Sequence, residues 1–298
     1  MTDGATPLAL NPAIVLTDQS YIILDGLHVD NVRRWLWAAG TTHSIIRNCF
    51  FNHAYDLSGS AHMGLYFELA SYNQLLNNTI QDTTQDNVVL VYSDHNLVEG
   101  NTIIDGNHTL WASRCSSYNV IRNNFLKNTK EKGGEMFDCG GLHLVGSSLR
   151  SNASKLWKLD SAKYNVIEGN RFAQTMWGRK PTGLNNLYTP GIQFAAQHTI
   201  IRKNMFYNAF GDGIMMTSYA DEAQYDYSNR VYNNTFSKNK YAGIDLSGAG
   251  KVTFSDNIIV NNSFSRSQYV MINPGRTYRE EDVDQNQYRS CLWHSAAF

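Results

Sequence analysis

A short unit of asparagine, any residue, and phenylalanine or isoleucine recurs along the chain. It reads Asn-Cys-Phe from Asn48, Asn-Asn-Phe from Asn123 and Asn-Thr-Phe from Asn234, with five further copies between and after these. Counted from a degenerate first copy at Gly26, the spacings are 22, 30, 23, 22, 47, 34, 30 and 23 residues. A basal period of 22–23 residues, lengthened in some copies by insertions, is typical of a solenoid and not of hairpins or helices.

A second pattern follows about ten residues after each asparagine. It is a glycine followed by alternating apolar residues, as in Gly-Leu-Tyr-Phe from Gly64, Gly-Leu-His-Leu from Gly141 and Gly-Ile-Asp-Leu from Gly243. Alternation with a period of two predicts a strand with one buried face. Each turn of about 22 residues therefore predicts three short strands, and stacked turns bury a core that no single copy could bury.

The recurring asparagines have a physical reason to occupy equivalent positions. In stacked turns they would lie about 4.8 Å apart, which is the distance between neighbouring strands. Side-chain amides at that distance can hydrogen-bond along the stack, and a small polar residue tolerates a tight turn. The pattern therefore predicts an asparagine ladder.

Taken together, these features resemble the right-handed parallel β-helix of the pectate-lyase-like superfamily over roughly residues 12–275. The predicted fold class is all-β: one right-handed parallel β-helix solenoid over residues 1–298, with about nine to ten coils, three parallel sheets and an asparagine ladder. Residues 1–12 are predicted as an N-terminal cap region and residues 275–298 as a C-terminal cap or tail, because uncovered strand edges aggregate.

The resemblance does not identify a subfamily. Members of this superfamily include polysaccharide lyases, glycoside hydrolases, uronan epimerases, phage tailspikes and copper-accessory proteins, and a fold does not fix a function. The chain lacks the Asp-Asp pair with Gly-His-Gly of polygalacturonase-like hydrolases and the Tyr-Gly-x-Asp-Pro-His stretch of alginate epimerases. Arg114 lies near the arginine expected in chondroitinase-B-like lyases, but their lysine is absent from its strand.

Composition limits the binding partners and the cellular location that we expect. The net charge of −1 disfavours a generic nucleic-acid or membrane-surface binder. The sequence contains no run of 18 apolar residues, so no transmembrane helix is predicted. The first residues lack a signal-peptide pattern, while the resemblance implies a secreted or periplasmic protein. Four cysteines without Cys-x-x-Cys spacing disfavour a zinc site, and they leave open free thiols or a Cys115–Cys139 bridge.

In the resembling enzymes, substrate lies along the outside of the first sheet. The predicted outward row of that sheet is Trp37, Tyr66, Val89, Trp111, His143, Gln193, Met215 and Asp245, and the next outward row includes Glu68, Val91 and Ser113. The aromatic residues of the first row form a broken stripe that ends at His143, and aromatic faces stack well on sugar rings. The alternative is that neighbouring turns cover these rings, so that the rings pack against the protein and do not contact a substrate. The predicted substrate-binding residues are Trp37, Tyr66, Trp111, Lys130, Gln193, Arg179 and Tyr188.

The middle of the chain is basic. Residues 106–180 carry 12 basic and 5 acidic side chains, a net charge of +7, so the remainder is at −8. Four of the five predicted long turns lie between residues 129 and 227, and long turns on a rigid scaffold often carry sites. This asymmetry predicts an anionic ligand.

A β-eliminating lyase must neutralise a uronate carboxylate, remove the C5 proton and protonate the leaving oxygen. The predicted catalytic residues for these steps are His143, Lys132, Arg114, Glu135 and Asp138. Tyr66 or Tyr188 is the predicted proton donor. Glu135 and Asp138 would be the ligands if Ca²⁺ were bound, and no other cofactor is expected.

Two other functions remain open. A glycoside hydrolase would need loop carboxylates at a suitable separation, either Glu135 with Asp138 or Asp105 with Asp212. A non-catalytic carbohydrate-binding or tailspike-like β-helix would need none, and a tailspike would be a trimer. For the enzyme, the expected partner is a polysaccharide or oligosaccharide substrate, with no nucleic acid and no membrane, and the chain is expected to be a monomer.

Overall fold

The computed structural model contains three parallel sheets of ten strands each. The part of the chain that it describes comprises residues 12–55, 64–84, 86–106, 111–128, 135–138, 162–175, 191–194, 196, 198–209, 212–217, 229–239 and 243–248, with short strands beyond. Those strands are at 258–260, 263–265, 272–273, 287–289 and 292–293. The described residues contain no helix long and apolar enough to span a membrane.

Successive strands along the chain pass from the first sheet to the second, then to the third, and then start the next coil. The first sheet consists of Ile14–Thr17 (β1), Leu36–Ala39 (β4), Leu65–Glu68 (β7), Val88–Val91 (β10), Trp111–Arg114 (β13), Glu135–Asp138 (β16), Ile192–Phe194 (β19), Ile214–Thr217 (β22), Ile244–Gly248 (β25) and Ile272–Asn273 (β28). The second consists of Ile23–Asp25 (β2), Ile45–Arg47 (β5), Gln74–Leu76 (β8), Leu97–Glu99 (β11), Val120–Arg122 (β14), Val166–Glu168 (β17), Ile200–Arg202 (β20), Arg230–Tyr232 (β23), Ile258–Val260 (β26) and Gln287–Arg289 (β29).

The third sheet consists of His28–Val32 (β3), Phe50–Ala54 (β6), Thr79–Thr83 (β9), Thr102–Gly106 (β12), Phe125–Asn128 (β15), Arg171–Thr175 (β18), Met205–Tyr207 (β21), Thr235–Ser237 (β24), Ser263–Ser265 (β27) and Leu292–Trp293 (β30). Ten coils of three strands confirm the predicted parallel β-helix. The region predicted as the C-terminal cap or tail contributes β29 and β30, which pair in parallel with β26 and β27. The predicted N-terminal cap, residues 1–12, lies almost wholly outside the described residues.

The core is built from columns of side chains that repeat from coil to coil. Leu36, Leu65 and Val88 are register partners and are fully buried. On the third sheet, Phe206 stacks between Phe172 and Phe236, with ring centroids 4.7 and 5.0 Å away. Each coil therefore buries its apolar face against its two neighbours, as the repeat predicted.

The predicted asparagine ladder is confirmed between the second and third sheets. The Oδ1 of Asn124 accepts hydrogen bonds from the backbone N–H of Asn101 at 2.9 Å and from its Nδ2 at 3.0 Å, and the Nδ2 of Asn124 donates to the Val98 carbonyl at 3.0 Å. The same contacts recur along the stack. The ladder consists of Asn78, Asn101, Asn124, Asn170, Asn204 and Asn234.

Two members of the repeat were placed one residue too early by the sequence pattern, and the last copy, from Asn257, runs into a strand of the second sheet (β26) and not of the third. The structure puts Cys49 and Asn124, not Asn48 and Asn123, at ladder positions. Asn48 and Asn123 instead adopt positive φ values of 53° and 57° on the outside of the turn. The cause is that Phe50 and Phe125 begin their strands from half-buried positions, whereas the following residue is the one that points into the core.

A second ladder, between the first and second sheets, was not predicted. Its members are Asn73, Asn96, Asn119, Asn165 and Asn229, with Ser44 and Thr199 at equivalent places. This ladder explains the repeated Tyr-Asn-Val-Ile that begins at Tyr118 and Tyr164. The tyrosine lies outside at positive φ, the asparagine lies inside the turn, and the two aliphatic residues begin a strand of the second sheet.

The glycine before several strands of the first sheet is required by a close approach of two backbones. A Cβ on Gly64 would lie 1.9 Å from the carbonyl oxygen of Asn87 in the next coil. A Cβ on Gly213 would lie 2.6 Å from the carbonyl oxygen of Gly243. The glycine in the second sequence pattern therefore marks tight stacking of the turns that enter the first sheet.

Ion pairs between neighbouring coils line one edge of the second sheet. Glu168 accepts hydrogen bonds from the Arg202 guanidinium at 2.8 Å and from Lys203 Nζ at 3.0 Å, and Arg202 also donates to the Tyr232 hydroxyl at 2.9 Å. The hydrogen bond from Arg202, followed by that from Lys203, lowers the pKa of Glu168 below its ordinary value of 4.5. A carboxylate with a lowered pKa in the folded state stabilises the fold above its unfolded pKa.

We expect Glu168→Gln to lower the free energy of unfolding by about 1 kcal/mol at neutral pH, because this network is partly exposed. The loss should shrink as the pH falls below about 4.5 and disappear once the wild-type carboxylate is protonated in the folded state. Urea titrations at neutral and acidic pH measure this difference. Glu99→Gln is the matched control, since its more exposed pair with Arg122 should give a smaller loss. A difference independent of pH would contradict the prediction.

Candidate active site on the first sheet

Register pairing defines two columns of residues on the outer face of the first sheet. In each strand of β4, β7 and β10, the first and third residues belong to the core cluster, so the second and fourth residues form the outer face. The first outer column is Trp37, Tyr66, Val89, Ala112, Met136, Gln193, Met215 and Asp245. The second outer column is Ala39, Glu68, Val91, Arg114 and Asp138.

The first two predicted aromatic residues lie next to each other, as expected. The rings of Trp37 and Tyr66 meet edge to face with centroids 6.1 Å apart, and the Arg34 guanidinium lies 4.9 Å and 5.6 Å from the two ring centroids. Tyr66 is only 3% exposed, however, which is what the packing alternative predicts for this ring. A buried phenol is a poor proton donor to a soluble substrate, so this burial disfavours that role for Tyr66.

The outer face is also apolar and buried one coil further on. Val89 and Val91 are fully buried and form an outer hydrophobic cluster with Tyr66, against which Trp37 and Tyr92 pack. Both valines were predicted to face outward, and the register confirms that orientation. No binding face is therefore open at Tyr66, Val89 and Val91, and by register the outer columns continue beyond β10 to Arg114 and Asp138.

A charged column begins beside this cluster. Glu68 is 4% exposed although it belongs to the outer face. Val91 separates it from Arg114, and Arg114 is the register partner of Asp138. Neighbouring strands are about 4.8 Å apart, so Glu68 and Asp138 lie three steps apart, about 14 Å. That separation is too large for a pair of hydrolytic carboxylates, which need about 5–9.5 Å.

The strand predicted at residues 141–144 is replaced by Glu135–Asp138 in the first sheet. The spacing of the coils explains this correction. Val88 and Trp111 begin their strands 10 residues after Asn78 and Asn101, and Glu135 begins 11 residues after Asn124. The glycine pattern at Gly141 is displaced further along the chain. The segment predicted as a long turn, 129–140, therefore contains a strand.

The predicted register of β13 is also wrong by one residue. Trp111 was expected in the outward row, but it is the register partner of Val88, in the column that holds Leu36 and Leu65. Arg114, and not Ser113, is the partner of Val91. The shift brings Arg114 onto the outer face, where sequence analysis placed it only near the site.

Glu135 and Asp138 occupy columns that belong to opposite faces of the sheet. Glu135 pairs with Trp111 and Ile192 in the core column, whereas Asp138 pairs with Arg114 in the second outer column. Residues three apart in a strand cannot share one face. By register the two residues therefore occupy positions of opposite faces of β16, and calcium binding by them stays a prediction from the sequence.

Several predicted site residues lie outside the described residues. They are His143, Lys132, Lys130, Arg179 and Tyr188. Their roles remain predictions from the sequence. Gln193 lies in β19 in the first outer column, between Met136 and Met215 by register.

Other acidic residues lie near the turns that enter the first sheet. Asp86 and Asp212 precede Val88 and Ile214 by two residues and are each 1% exposed.

On the third sheet, Asp82 and Asp105 take equivalent positions at positive φ in neighbouring coils, and Asp82 contacts His53 Nδ1 at 2.9 Å. The described residues contain no group of three or more histidine, cysteine or acidic side chains that could hold a metal ion.

Two cysteines of the described residues differ in state. Cys115, which directly follows Arg114, is disulfide-bonded, whereas Cys49 is a buried free thiol. Burial raises the pKa of the Cys49 thiol, so it is an inert core residue.

Comparisons with known proteins agree with this architecture. The family model described as right handed beta helix region matches residues 12–172 and 158–277. No curated protein sequence matches the chain.

Solved structures extend the likeness. The catalytic domain of a GH87 alpha-1,3-glucanase in complex with tetrasaccharides has a TM-score of 0.54 at 13% identity, over 95% of this chain and 62% of that one. ORF18 of Geobacillus virus E2 has a TM-score of 0.50 at 12% identity, over 89% and 51%. An alginate lyase from Paenibacillus sp. str. FPU-7 has a TM-score of 0.48 at 15% identity, over 92% of each chain. The chain thus spans less than two thirds of the first two proteins, and identities this low indicate a shared fold alone.

Proposed function

The chain belongs to the right-handed β-helix family, and from that premise we propose that it cleaves an acidic, uronic-acid-containing polysaccharide by β-elimination. The observation that carries this proposal is that Arg114 and Asp138 are register partners in neighbouring strands, at positions of the outer face of the first sheet. This pair lies within the segment of net charge +7, which favours an anionic ligand. The likeness to a glucanase bound to tetrasaccharides supports a saccharide as the ligand class.

In this proposal Arg114 pairs with the uronate carboxylate. Its charge stabilises the enolate-like anion that forms when a base removes the C5 proton. The bond from C4 to the glycosidic oxygen then breaks, a C4–C5 double bond forms, and the leaving oxygen takes a proton. Asp138, one strand away from Arg114, orients the guanidinium. On sequence grounds His143 is the base, Lys132 assists it, and Tyr188 is the proton donor.

A screen of uronic-acid polymers tests the reaction class. Alginate, polygalacturonate and hyaluronate are incubated with the protein, with and without a chelator, and product is followed by the ultraviolet absorbance of the unsaturated sugar. We expect an absorbing product from at least one polymer, and the same rate with chelator. New reducing ends without that absorbance would show that the protein is a hydrolase and not a lyase.

A glycoside hydrolase is the second candidate, and one observation on the third sheet favours it. Asp82 and Asp105 lie one strand step apart, about 4.8 Å, which is near the 5–5.5 Å carboxyl separation of retaining enzymes. If neutral glucans are cut, we expect Asp105→Asn to abolish the release of reducing ends while a lyase assay stays negative. A stable trimer that leaves every glycan intact would favour the tailspike-like alternative over both enzymes.

We also propose that the protein works in a secreted or periplasmic compartment. The disulfide at Cys115 supports this location, because such bonds persist in oxidising compartments and are rare in the cytosol.

Peptide mapping can identify the cysteine that forms the disulfide with Cys115. Arg114 and Asp138 are register partners, so Cys115 and Cys139 each follow the end of a paired strand. We therefore expect peptide mapping without reductant to recover a Cys115–Cys139 linked peptide, and Cys49 to be alkylated only after unfolding. A linked peptide containing Cys291 instead would contradict this pairing.

A further inference from the structure

Seven rings, six of them exposed and the last, His198, half-buried, form a continuous stack along the turn between the first and second sheets. Neighbouring centroids are 4.7–5.2 Å apart, and the ring planes are within 25° of parallel. Each residue has a positive φ, which turns its ring away from the core. This ring ladder consists of Tyr21, His43, Tyr72, His95, Tyr118, Tyr164 and His198.

The rings cover one another's faces, so their edges are what solvent meets. Tyr72 and Tyr118 are still 50% and 49% exposed. A tyrosine edge presents a hydroxyl, and a histidine edge presents a ring nitrogen. The ladder therefore offers a hydrogen-bonding group about every 5 Å along the solenoid.

A second column, half-buried except for the exposed Ile23, runs beside the ring ladder, two residues further along each coil. It occupies the first position of the strands in the second sheet, and six of its members from β2 to β20 are aliphatic. This aliphatic column consists of Ile23, Ile45, Leu97, Val120, Val166 and Ile200. The third sheet differs, because its equivalent outward positions include Thr79, Thr102 and Thr235.

The far edge of the strip carries three acids and four bases, since Glu168 pairs with Lys203 as well as with Arg202, so its charges nearly cancel. Asp25 pairs with Arg47, Glu99 with Arg122 and Glu168 with Arg202, each at 2.8 Å. Each acid on this edge is therefore matched by a base from the next coil. The strip lacks the excess positive charge that would draw a nucleic acid or a polyanion.

The dimensions of the strip decide what can cover it. Six steps of about 5 Å make it about 30 Å long, and two columns two residues apart make it about 7 Å wide between their centres. With side chains included, this is about 300–400 Å². A stable protein interface needs about 800 Å² per partner, whereas apolar patches of a few hundred Å² on monomers are often functional. The shape suits a single extended polymer chain and is too narrow for a second protein.

We propose that the ring ladder and the aliphatic column form a binding strip for one extended, uncharged polysaccharide chain that lies parallel to the solenoid axis. Ring edges hydrogen-bond to the sugar hydroxyls, and the aliphatic column contacts the apolar faces of the sugar rings. The strip is on the second sheet and the proposed reaction is on the first, so either can fail without the other.

Affinity electrophoresis tests the strip without any need for cleavage. Native gels contain dextran, laminarin or hydroxyethyl cellulose as neutral probes, or polygalacturonate as an acidic one. We expect at least one neutral probe to retard the wild type. In Tyr72→Asn/Tyr118→Asn the dissociation constant for that probe should rise about tenfold. Asparagine tolerates positive φ, so the double variant should keep the fold. Met205→Ala, an exposed apolar residue on the third sheet, should bind like the wild type.

Each other outcome overturns the proposal. The strip is not a glycan site if no neutral probe retards the wild type, or if the double variant binds as the wild type does. Sedimentation gives a separate reading. If the wild type self-associates and the double variant stays monomeric, the occupant is a second copy of the chain. An equal unfolding midpoint for both variants shows that a loss of binding is not a loss of folding.

Discussion

Asn124→Ala should lower the free energy of unfolding by about 4 kcal/mol, because the change removes four buried hydrogen bonds of the ladder. Asn124 is 2% exposed, so water cannot replace the hydrogen bonds that alanine removes. Its Oδ1 accepts two hydrogen bonds from Asn101, and its Nδ2 donates to the Val98 carbonyl and to Asn170 Oδ1. The substitution leaves several buried groups on the two neighbouring coils without these partners, at about 1–3 kcal/mol each.

The neighbouring residue provides a matched control. Asn123 lies outside the same turn at positive φ, where glycine is also tolerated, and its side chain makes one long hydrogen bond, 3.4 Å, to Glu99. We expect Asn123→Gly to change stability by less than about 1 kcal/mol. Equilibrium urea unfolding of the two variants beside the wild type measures both effects. A loss below about 1 kcal/mol for Asn124→Ala would show that the ladder amides contribute little beyond their backbone turns.

The ladder also shows how far the sequence could predict the fold. The period and the glycine pattern were enough for the parallel coils, because every coil must bury the same face against its neighbours. They were not enough for the register within the unit. The pattern selected Asn123 and Asn48, whereas the ladder positions are the next residues, Asn124 and Cys49, and Cys49 replaces the asparagine altogether. Only the alternation of buried residues in the following strand separates the two frames.

The long coil between Asn124 and Asn170 was the hardest to predict. Its 46 residues contain two segments that fit the first sheet, and the glycine pattern selected Gly141 when the spacing from Asn124 favoured Glu135. Constant spacing was the more reliable signal, because the turn before each strand must stack closely on the next coil. The ring ladder had a signal too: Tyr72, Tyr118 and Tyr164 each stand directly before a ladder asparagine.

Burial of the outer face could not be predicted from the strands alone. The alternating pattern gives the face to which Tyr66 and Glu68 belong, but it does not say whether other parts of the chain cover that face. Both residues are nearly inaccessible. This moves the proposed site away from the aromatic pair at Trp37 and towards Arg114, which the corrected register brings onto the same face.

Arg114→Ala should lower kcat/KM about a hundredfold to a thousandfold on the uronan that the screen identifies. The reason is that the elimination builds negative charge on the substrate carboxylate, and Arg114 is the cation that the register places on the outer face of the first sheet. Arg114→Lys keeps the charge but loses the planar two-pronged geometry, so we expect an intermediate rate. Asp138→Asn should raise KM more than it lowers kcat, because Asp138 positions the guanidinium and does not touch the reacting atoms.

Arg122→Ala is the control for Arg114→Ala, since Arg122 is an exposed arginine of the second sheet that pairs with Glu99. It removes the same charge from the protein but leaves the first sheet unchanged, so wild-type kcat/KM is expected. Steady-state kinetics on the same polymer, with unfolding midpoints for every variant, separates catalysis from folding. If Arg114→Ala cuts the uronan as fast as Arg122→Ala does, the carboxylate is neutralised elsewhere and the site is not at this pair. If Arg114→Ala is inactive while Arg114→Lys recovers part of the rate, a positive charge at residue 114 is the requirement that the chemistry imposes.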